Sequence, residues 1–226
     1  MIGLVLDAST YVGTVAVLRD GAVVASAEAA MRGEREERLM PAVAATLAAA
    51  GVSPASVERI VCGSGPGSFT SLRIAASIAK GMAYAHDASL CAVSSLTLMV
   101  AALEPLPAEG HYLAVLDALR GEAYVQLVAV GAAGVSAVGE PRIVALGDVD
   151  AVAGGAGATT VGAGRSIEAA PHARGAARLL PPLDGLPPVD LATWEPAYGR
   201  LAEAQVRWEA AHGRPLVPPA GEGTPA

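Results

Sequence analysis

The stretch GSGPGSFTSLR, residues 63–73, places three glycines and a proline within five residues, immediately after the apolar run VERIVCG (57–63). The small, apolar residues that follow predict a helix over about 70–86. A glycine-rich turn between a strand and a helix either binds phosphate through backbone N–H groups or bends the chain for a structural reason. The spacing of its residues distinguishes these two roles.

Neither common phosphate-binding spacing fits this turn. A P-loop ends in Gly-Lys-Ser/Thr, whereas Gly67 is followed by serine and phenylalanine and the nearest lysine is Lys80. The dinucleotide motif is G-x-G-x-x-G, whereas residues 63–67 read G-x-G-x-G. Binding of a phosphate by backbone N–H groups beside Arg73 remains an open alternative.

A structural turn fits the residue types better. Gly65 and Gly67 permit positive φ around the rigid Pro66, and Ser68 or Thr70 can cap the following helix.

The helix at 70–86 is apolar around nearly its whole circumference, whereas a surface helix of a monomer normally has a broader polar side. Either a partner chain covers it opposite its own sheet, or other helices of the same lobe bury it. The small residues that would allow close helix contacts are Ala75, Ala76, Ala79, Gly81 and Ala83.

The first 104 residues predict strands that alternate with helices, which is typical of an α/β sheet with helical cover. Pro41 lies inside the pattern of the helix at 34–50, so that helix either starts late or kinks. The predicted strands are 2–7, 12–20, 22–29, 57–63 and 89–95, and the predicted helices are 34–50, 70–86 and one that ends at Glu104.

The second half of the chain repeats its opening. LVLDASTYVGTVAVL (4–18) and LAVLDALRGEAYVQLV (113–128) align so that Asp7 falls on Asp117. Each contains a strand, an aspartate, a short turn and a strand, which favours an internal duplication. Two related lobes that open in this way resemble the duplicated α/β fold of actin-like ATPases and sugar kinases (ASKHA), with a reduced second lobe here.

The predicted domains are an N-terminal actin-like lobe at 1–104, a smaller C-terminal lobe at 105–212 and a disordered tail at 213–226. Within the second lobe, residues 147–166 predict loops around one short strand, and residues 199–211 predict the last helix.

Composition narrows the function classes. The chain has 226 residues, 53% of them hydrophobic and 16% charged, with a net charge of −7. Stand-alone nucleic-acid binding is disfavoured because it needs clustered Lys and Arg. The sequence shows no membrane-spanning run and no signal peptide, so a cytoplasmic protein is expected. Cys62 and Cys91 are expected to be buried free thiols.

Candidate chemistry is sparse. His86, His111, His172 and His212 are scattered, so no metal site is predicted. A vestigial nucleotide cleft is predicted from Asp7, Ser9, Thr10 and Asp117, although Asp7 also suits an Asx-type turn. No cofactor is expected. Weak binding of ATP or ADP with magnesium remains an open alternative, and it could require the complex.

Five segments, in order along the chain, resemble the bacterial TsaB (YeaZ) family. GSGPGSFTSLRIAASIAKGMAY followed by AVSSLTLM is similar to the family signature GPGSFTGLRIG…KGLA…VSSL. The other four segments are LVLDASTYVGTVAVL, EERLMPAV, VLDALRGEAYVQLV and EPAYGRLAEAQVRWE. This sequence departs from the family at Ser71, where glycine is usual, at Arg35, where histidine is common, and at Gly199, where leucine is frequent.

The resemblance implies a non-catalytic paralogue of the transferase TsaD, whose metal-binding H-x-x-x-H pair this sequence lacks. It implies a subunit of the machinery that installs threonylcarbamoyl on N6 of adenosine 37 in ANN-decoding tRNAs, where it would bind and activate TsaD. It further implies an ATPase subunit, TsaE, in the ternary complex, a homodimer when alone, and contact with tRNA only indirectly. The resting state, homodimer or heterodimer, stays open.

The predicted partner interface comprises the glycine turn and the two first-lobe helices. Its residues are Gly65, Pro66, Gly67, Ser68, Phe69, Thr70, Leu72, Arg73, Ala75, Ala76, Ala79 and Met82, with Leu39 and Val43 on the other helix.

Two rival functions come from other classes. An ATPase or kinase of the same fold would use the predicted nucleotide cleft and hydrolyse magnesium-ATP. A glycoprotein endopeptidase, an older label of the wider family, is disfavoured because no metal-ligand set or Ser/His pairing is present in the sequence.

Overall fold

The structure, a computed structural model, describes residues 1–33, 36–199 and 211–213 and contains two β-sheets together with α-helices. Within these residues, no helix has both the length and the apolar character needed to cross a membrane. The strands are β1 (Ile2–Asp7), β2 (Val12–Arg19), β3 (Ala22–Ala30), β4 (Arg59–Gly63), β5 (Ser89–Val93), β6 (Gly110–Asp117), β7 (Glu122–Gly131), β8 (Gly134–Ala145) and β9 (Thr159–Val161). The α-helices are α1 (Leu39–Ala49), α2 (Phe69–His86), α3 (Ser95–Ala101) and α4 (Val149–Gly155).

The central strands of the first sheet, β1, β2 and β4, are buried on both faces. The strand order of this sheet is β3-β2-β1-β4-β5, with β1 antiparallel to β2 and parallel to β4. Because side chains alternate along a strand, Leu4 and Leu6 pack with α1 and α2, while Val5 packs with α3 and the second sheet. Burial on both faces explains why these strands are nearly continuous apolar runs in the sequence.

The second sheet repeats the topology of the first. Its order is β8-β7-β6-β9, and β6 is antiparallel to β7 and parallel to β9. In the same way, β1 of the first sheet is antiparallel to β2 and parallel to β4. The strand order confirms the predicted duplication. The second lobe is the smaller one, because among the described residues only the short helix α4 packs on the outer face of its sheet, through Val149 and Ala153.

Two predicted elements need correction. The helix expected at 34–50 is found as α1, which starts late at Leu39 and places Pro41 in its first turn. Glu37 explains the start, because its carboxylate accepts the backbone N–H groups of Leu39 and Met40. Residues 147–166 were expected as loops around a strand, yet they also contain α4.

After β9 the chain returns to the first sheet. Residues 173–178 form a 3-10 helix that packs in the core with α3, and Pro188 bridges to Cys91 of β5. A division of the chain at residue 104 stays a prediction. Most of the helix predicted at 199–211, and the tail beyond residue 213, lie outside the described residues.

Candidate functional site

The glycine turn packs tightly against the turn between β1 and β2. Gly65 has φ +84°, and a side chain there would lie 2.6 Å from the carbonyl oxygen of Ala197. The Ser68 N–H donates to the Ser9 carbonyl at 2.8 Å, and a Cβ at Gly67 would overlap that same carbonyl. The turn therefore needs glycine for close backbone approach as well as for φ.

Ser68 lies at the N-cap position of α2, but its side chain makes no capping hydrogen bond. Its hydroxyl instead lies 3.0 Å from the hydroxyl of Ser71, the residue that replaces the glycine usual in the TsaB family. Thr70 lies inside the helix. The predicted side-chain cap is therefore wrong, because Ser71 offers the Ser68 hydroxyl a partner within the first turn.

Asp7 is fully buried at the end of β1, and its carboxylate is held by protein donors. One oxygen accepts the Ser9 N–H at 3.0 Å and the Ser9 hydroxyl at 2.8 Å, and the other accepts the Ser95 hydroxyl. Ser95 Oγ also accepts the Gly65 N–H at 3.1 Å. Burial raises the pKa of Asp7, and these hydrogen bonds oppose that shift. Asp7 thus links β1, the glycine turn and the start of α3.

A cleft of about 790 Å³ lies between the two sheets. Thr10 and Asp117 line this cleft, whereas Asp7 and Ser9 are turned into the protein, away from its lining. Asp117 is exposed, and its carboxylate accepts the Leu119 N–H at 2.7 Å. Two of the four residues predicted for a nucleotide cleft therefore face the space between the lobes.

Many of the residues predicted for the partner interface point inward. In the structure Leu39, Val43, Leu72, Ala75, Ala76, Ala79 and Met82 are buried in the core of the first lobe, and Gly65 and Pro66 are buried in the turn. Such side chains position a surface but cannot contact a partner directly. Thr70 and Arg73 are exposed, and Gly67, Ser68 and Phe69 are partly exposed.

The outward faces of α1 and α2 form what we call the α1–α2 surface. It comprises Met40, Ala44, Ala45, Ala48 and Ala49 from α1, and Ile74, Ser77, Ile78, Gly81, Tyr84 and Ala85 from α2. None of these residues is charged, and α1 contains no charged residue at all. Tyr84 is 86% exposed, and a Cβ on Gly81 would meet nothing within 4 Å.

One end of this surface is bordered by the segment after residue 190. The Tyr198 ring lies 4.5 Å from the ring of Phe69, and Lys80 Nζ lies 3.9 Å from the Glu195 carboxylate. Lys80 also lies over the ring of Trp194. The charged side chain nearest the middle of α2 is thus drawn toward this segment and away from the α1–α2 surface.

Three outward residues of α2, Ile74, Ser77 and Tyr84, are not among the residues predicted from the sequence, whereas Gly81 is predicted only as a small residue for close helix contacts. Ile74, Ser77, Gly81 and Tyr84 recur every three or four residues, on the face opposite Leu72, Ala75, Ala79 and Met82. The signal was present in this periodicity. It was obscured because the outward positions hold small or apolar residues instead of the usual charges.

Comparison with known proteins places these features in a family. The family model described as TsaD, tRNA N6-adenosine threonylcarbamoyltransferase, matches residues 28–162, which is more than half of the chain. The chain is 34% identical over 129 residues to the tRNA threonylcarbamoyladenosine biosynthesis protein TsaB of Bacillus subtilis, covering 55% of this chain and 53% of that protein. It is 35% identical over 121 residues to the TsaB protein of Escherichia coli, covering 54% and 52%. The chain spans about half the length of the curated relatives it matches.

Two solved structures match the chain over a larger share of its length. An uncharacterised Pseudomonas aeruginosa protein with similarity to peptidase YEAZ has a TM-score of 0.73 and 27% identity, covering 88% of this chain and 99% of that one. YeaZ from Pseudomonas aeruginosa has a TM-score of 0.68 and 25% identity, covering 87% and 99%. The resemblance to the TsaB (YeaZ) family and the ASKHA-type fold predicted from the sequence are both confirmed.

Proposed function

Since the chain belongs to the family described as TsaD, tRNA N6-adenosine threonylcarbamoyltransferase, we propose that it is a non-catalytic subunit that binds and activates TsaD. In this role it supports the transfer of threonylcarbamoyl to N6 of adenosine 37 in ANN-decoding tRNAs, with TsaE as the ATPase subunit of the ternary complex. The names of the TsaB relatives support a role in threonylcarbamoyladenosine biosynthesis. Contact with tRNA is indirect in this proposal.

The observation that carries the partner role is the uncharged α1–α2 surface. A water-exposed helix normally carries charged residues on its outer face, whereas α1 presents Met40, Ala44 and Ala48 there. Small side chains let two helices approach closely, and an exposed tyrosine is a frequent anchor of interfaces. On the α1–α2 surface, Tyr84 is an exposed tyrosine of this kind, and the neighbouring Gly81 leaves room for a partner to approach closely. The same surface would hold a second copy of this chain when TsaD is absent.

The Asp7 side chain points into the protein, and this orientation supports a non-catalytic role. In an ASKHA enzyme the carboxylate of this hairpin faces the phosphates and magnesium. Here three donors of the chain occupy the Asp7 carboxylate, and Gly67 packs on the Ser9 carbonyl. An ATPase would have to break this network before the carboxylate could reach a nucleotide.

Complementation of a deletion strain tests the function. Cells that lack this chain should lose N6-threonylcarbamoyladenosine from their tRNA, measured by mass spectrometry of nucleosides. The wild-type chain and Ala133→Glu, an exposed change in the turn after β7, should restore the modification. Gly81→Glu should not, because it places a charge in the centre of the α1–α2 surface. Normal modification in the deletion strain, or rescue by Gly81→Glu at wild-type protein level, would contradict the proposal.

A further inference from the structure

The wall of the cleft between the lobes contains a buried side chain, His172, whose Nε2 has no acceptor at hydrogen-bond distance among the described residues. His172 lies in the cleft wall, and its side chain is only 9% exposed. Its Nδ1 accepts the Arg174 N–H at 3.0 Å, so the proton of the neutral ring is on Nε2. The Glu28 carboxylate lies 3.6 Å from Nε2, too far for a hydrogen bond. Within the described residues Nε2 thus has no acceptor, and a buried unsatisfied donor calls for an explanation.

Two arginines, Arg165 and Arg174, also line the cleft. Arg174 donates from Nε to the Ala102 carbonyl at 3.2 Å, and the described part of the chain offers no acceptor to its terminal nitrogens. Arg165 lies 4.0 Å from the exposed Asp150 carboxylate, which is a weak ion pair. Guanidinium groups of this kind favour planar or tetrahedral oxyanions because they donate two parallel hydrogen bonds.

Opposing charges limit what the cleft can hold. Glu28 and Asp117 line it as well, so an anion lacking donors would be repelled by these two carboxylates. A magnesium-polyphosphate fits poorly, because the Asp7 carboxylate and the Ser9 hydroxyl are occupied by each other and by Ser95. A ligand that carries a hydroxyl or amino donor next to its anionic group matches the arrangement, because the Glu28 carboxylate lies 3.6 Å from His172 Nε2.

We propose that the cleft binds a small organic anion, a carboxylate or a phosphate monoester that also carries hydroxyl or amino donors, without a metal ion. His172 Nε2 and the guanidinium groups of Arg165 and Arg174 hold the anionic group, and Glu28 and Asp117 accept from the donors. The volume of about 790 Å³ is within the range of small-molecule sites. This site is separate from the α1–α2 surface and does not depend on the partner role.

The protonation state of His172 is consistent with this arrangement. Burial, with a smaller contribution from the charge of Arg174, lowers the pKa of His172 below the ordinary value of a histidine. The ring is therefore neutral at pH 7, keeps Nδ1 as an acceptor for Arg174 and presents Nε2–H to the cleft.

Isothermal titration of the full chain tests the proposal with three probes: malate, glycerol 3-phosphate, and ADP with magnesium. We expect saturable binding of malate or glycerol 3-phosphate in the absence of magnesium, and the one that binds identifies the anionic group. Arg165→Ala and Arg165→Gln should each weaken it at least about tenfold, since a charge-assisted contact is lost. Arg142→Ala, an exposed change on β8 outside the cleft, is the matched control.

A second readout reports on the site itself. The His172 ring resonances in NMR spectra should move along the same titration in the wild-type chain and in Arg142→Ala. The proposal is overturned by the absence of saturable binding for both organic anions, by unchanged affinity in both Arg165 variants, or by binding that occurs only for ADP with magnesium.

Discussion

At the scale of single residues, glycines of the same region have opposite roles. Gly67 packs on the Ser9 carbonyl with no room for a Cβ, whereas Gly81 faces open space on α2. Gly67→Ala should therefore destabilise the chain by about 2–4 kcal/mol, because the glycine turn must move. Gly81→Ala should stabilise it by about 0.5–1 kcal/mol, since alanine favours a helix over glycine. Urea unfolding measures both, and similar effects of the two changes would contradict the assigned packing.

Asp7 is predicted to be a structural residue. Asp7→Ala leaves Ser9 and Ser95 without their shared acceptor inside the protein, so a loss of about 2–4 kcal/mol is expected. Asp117→Ala removes one exposed hydrogen bond and should cost less than about 1 kcal/mol. Unfolding free energies of both variants provide the comparison. Magnesium-ATP hydrolysis by the wild-type chain that disappears in a folded Asp7→Ala variant would instead support the rival ATPase.

At the scale of elements, the 3-10 helix at 173–178 depends on neutral His172. The imidazole caps it through Nδ1, and protonation would place an N–H against the Arg174 N–H. Because the pKa of His172 is lowered in the folded chain, the unfolded chain takes up the proton first as pH falls below 6.5. Titration of His172 therefore does not change the free energy of unfolding above that pH, and it lowers this free energy as the pH falls further.

Unfolding free energies at pH 7.5 and 5.5 test that dependence. His172→Asn keeps a capping acceptor without a titrating ring, so it should lose less stability than the wild-type chain between the two pH values. Glu28 and Glu104 favour the protonated ring and Arg174 opposes it, and all three remain in the variant. An equal loss in both chains would show that His172 does not contribute.

The elements also show how far the sequence predicts the fold. The bounds of α2 were predicted within one residue, because the glycine turn and the small, apolar run mark them clearly. Its outward face was not predicted, because residues on both faces are small or apolar. α4 was missed because Gly154 and Gly155 disfavour a helix, whereas burial of Val149 and Ala153 stabilises it.

The candidate site was less predictable because its contacts join distant parts of the chain. Ser95 contacts Asp7 across 88 residues of sequence, and His172 lies 3.6 Å from Glu28, which is also distant along the chain. Local spacing carries no signal for such pairs. The aspartate repeat at Asp7 and Asp117 correctly indicated duplication, yet the two carboxylates have different surroundings, one buried and one exposed.

At the scale of the whole molecule, the first lobe combines a sheet whose central strands are buried on both faces with the two helices that carry the uncharged α1–α2 surface. The inward residues of α1 and α2 fix their position on the sheet, and the outward residues remain available for a partner. The glycine turn holds α2 in place through Ser9 and Ala197, at a distance from the exposed Tyr84. The turn thus shapes the surface without forming its centre.

Direct titration of this chain with TsaD from the same organism tests the central claim. The wild-type chain and Ala133→Glu should form a complex at micromolar concentrations in analytical ultracentrifugation. Gly81→Glu should remain folded, since a Cβ at this exposed position meets nothing within 4 Å, and should show no complex. Complex formation by Gly81→Glu with wild-type affinity, or its absence with the wild-type chain, would contradict the account.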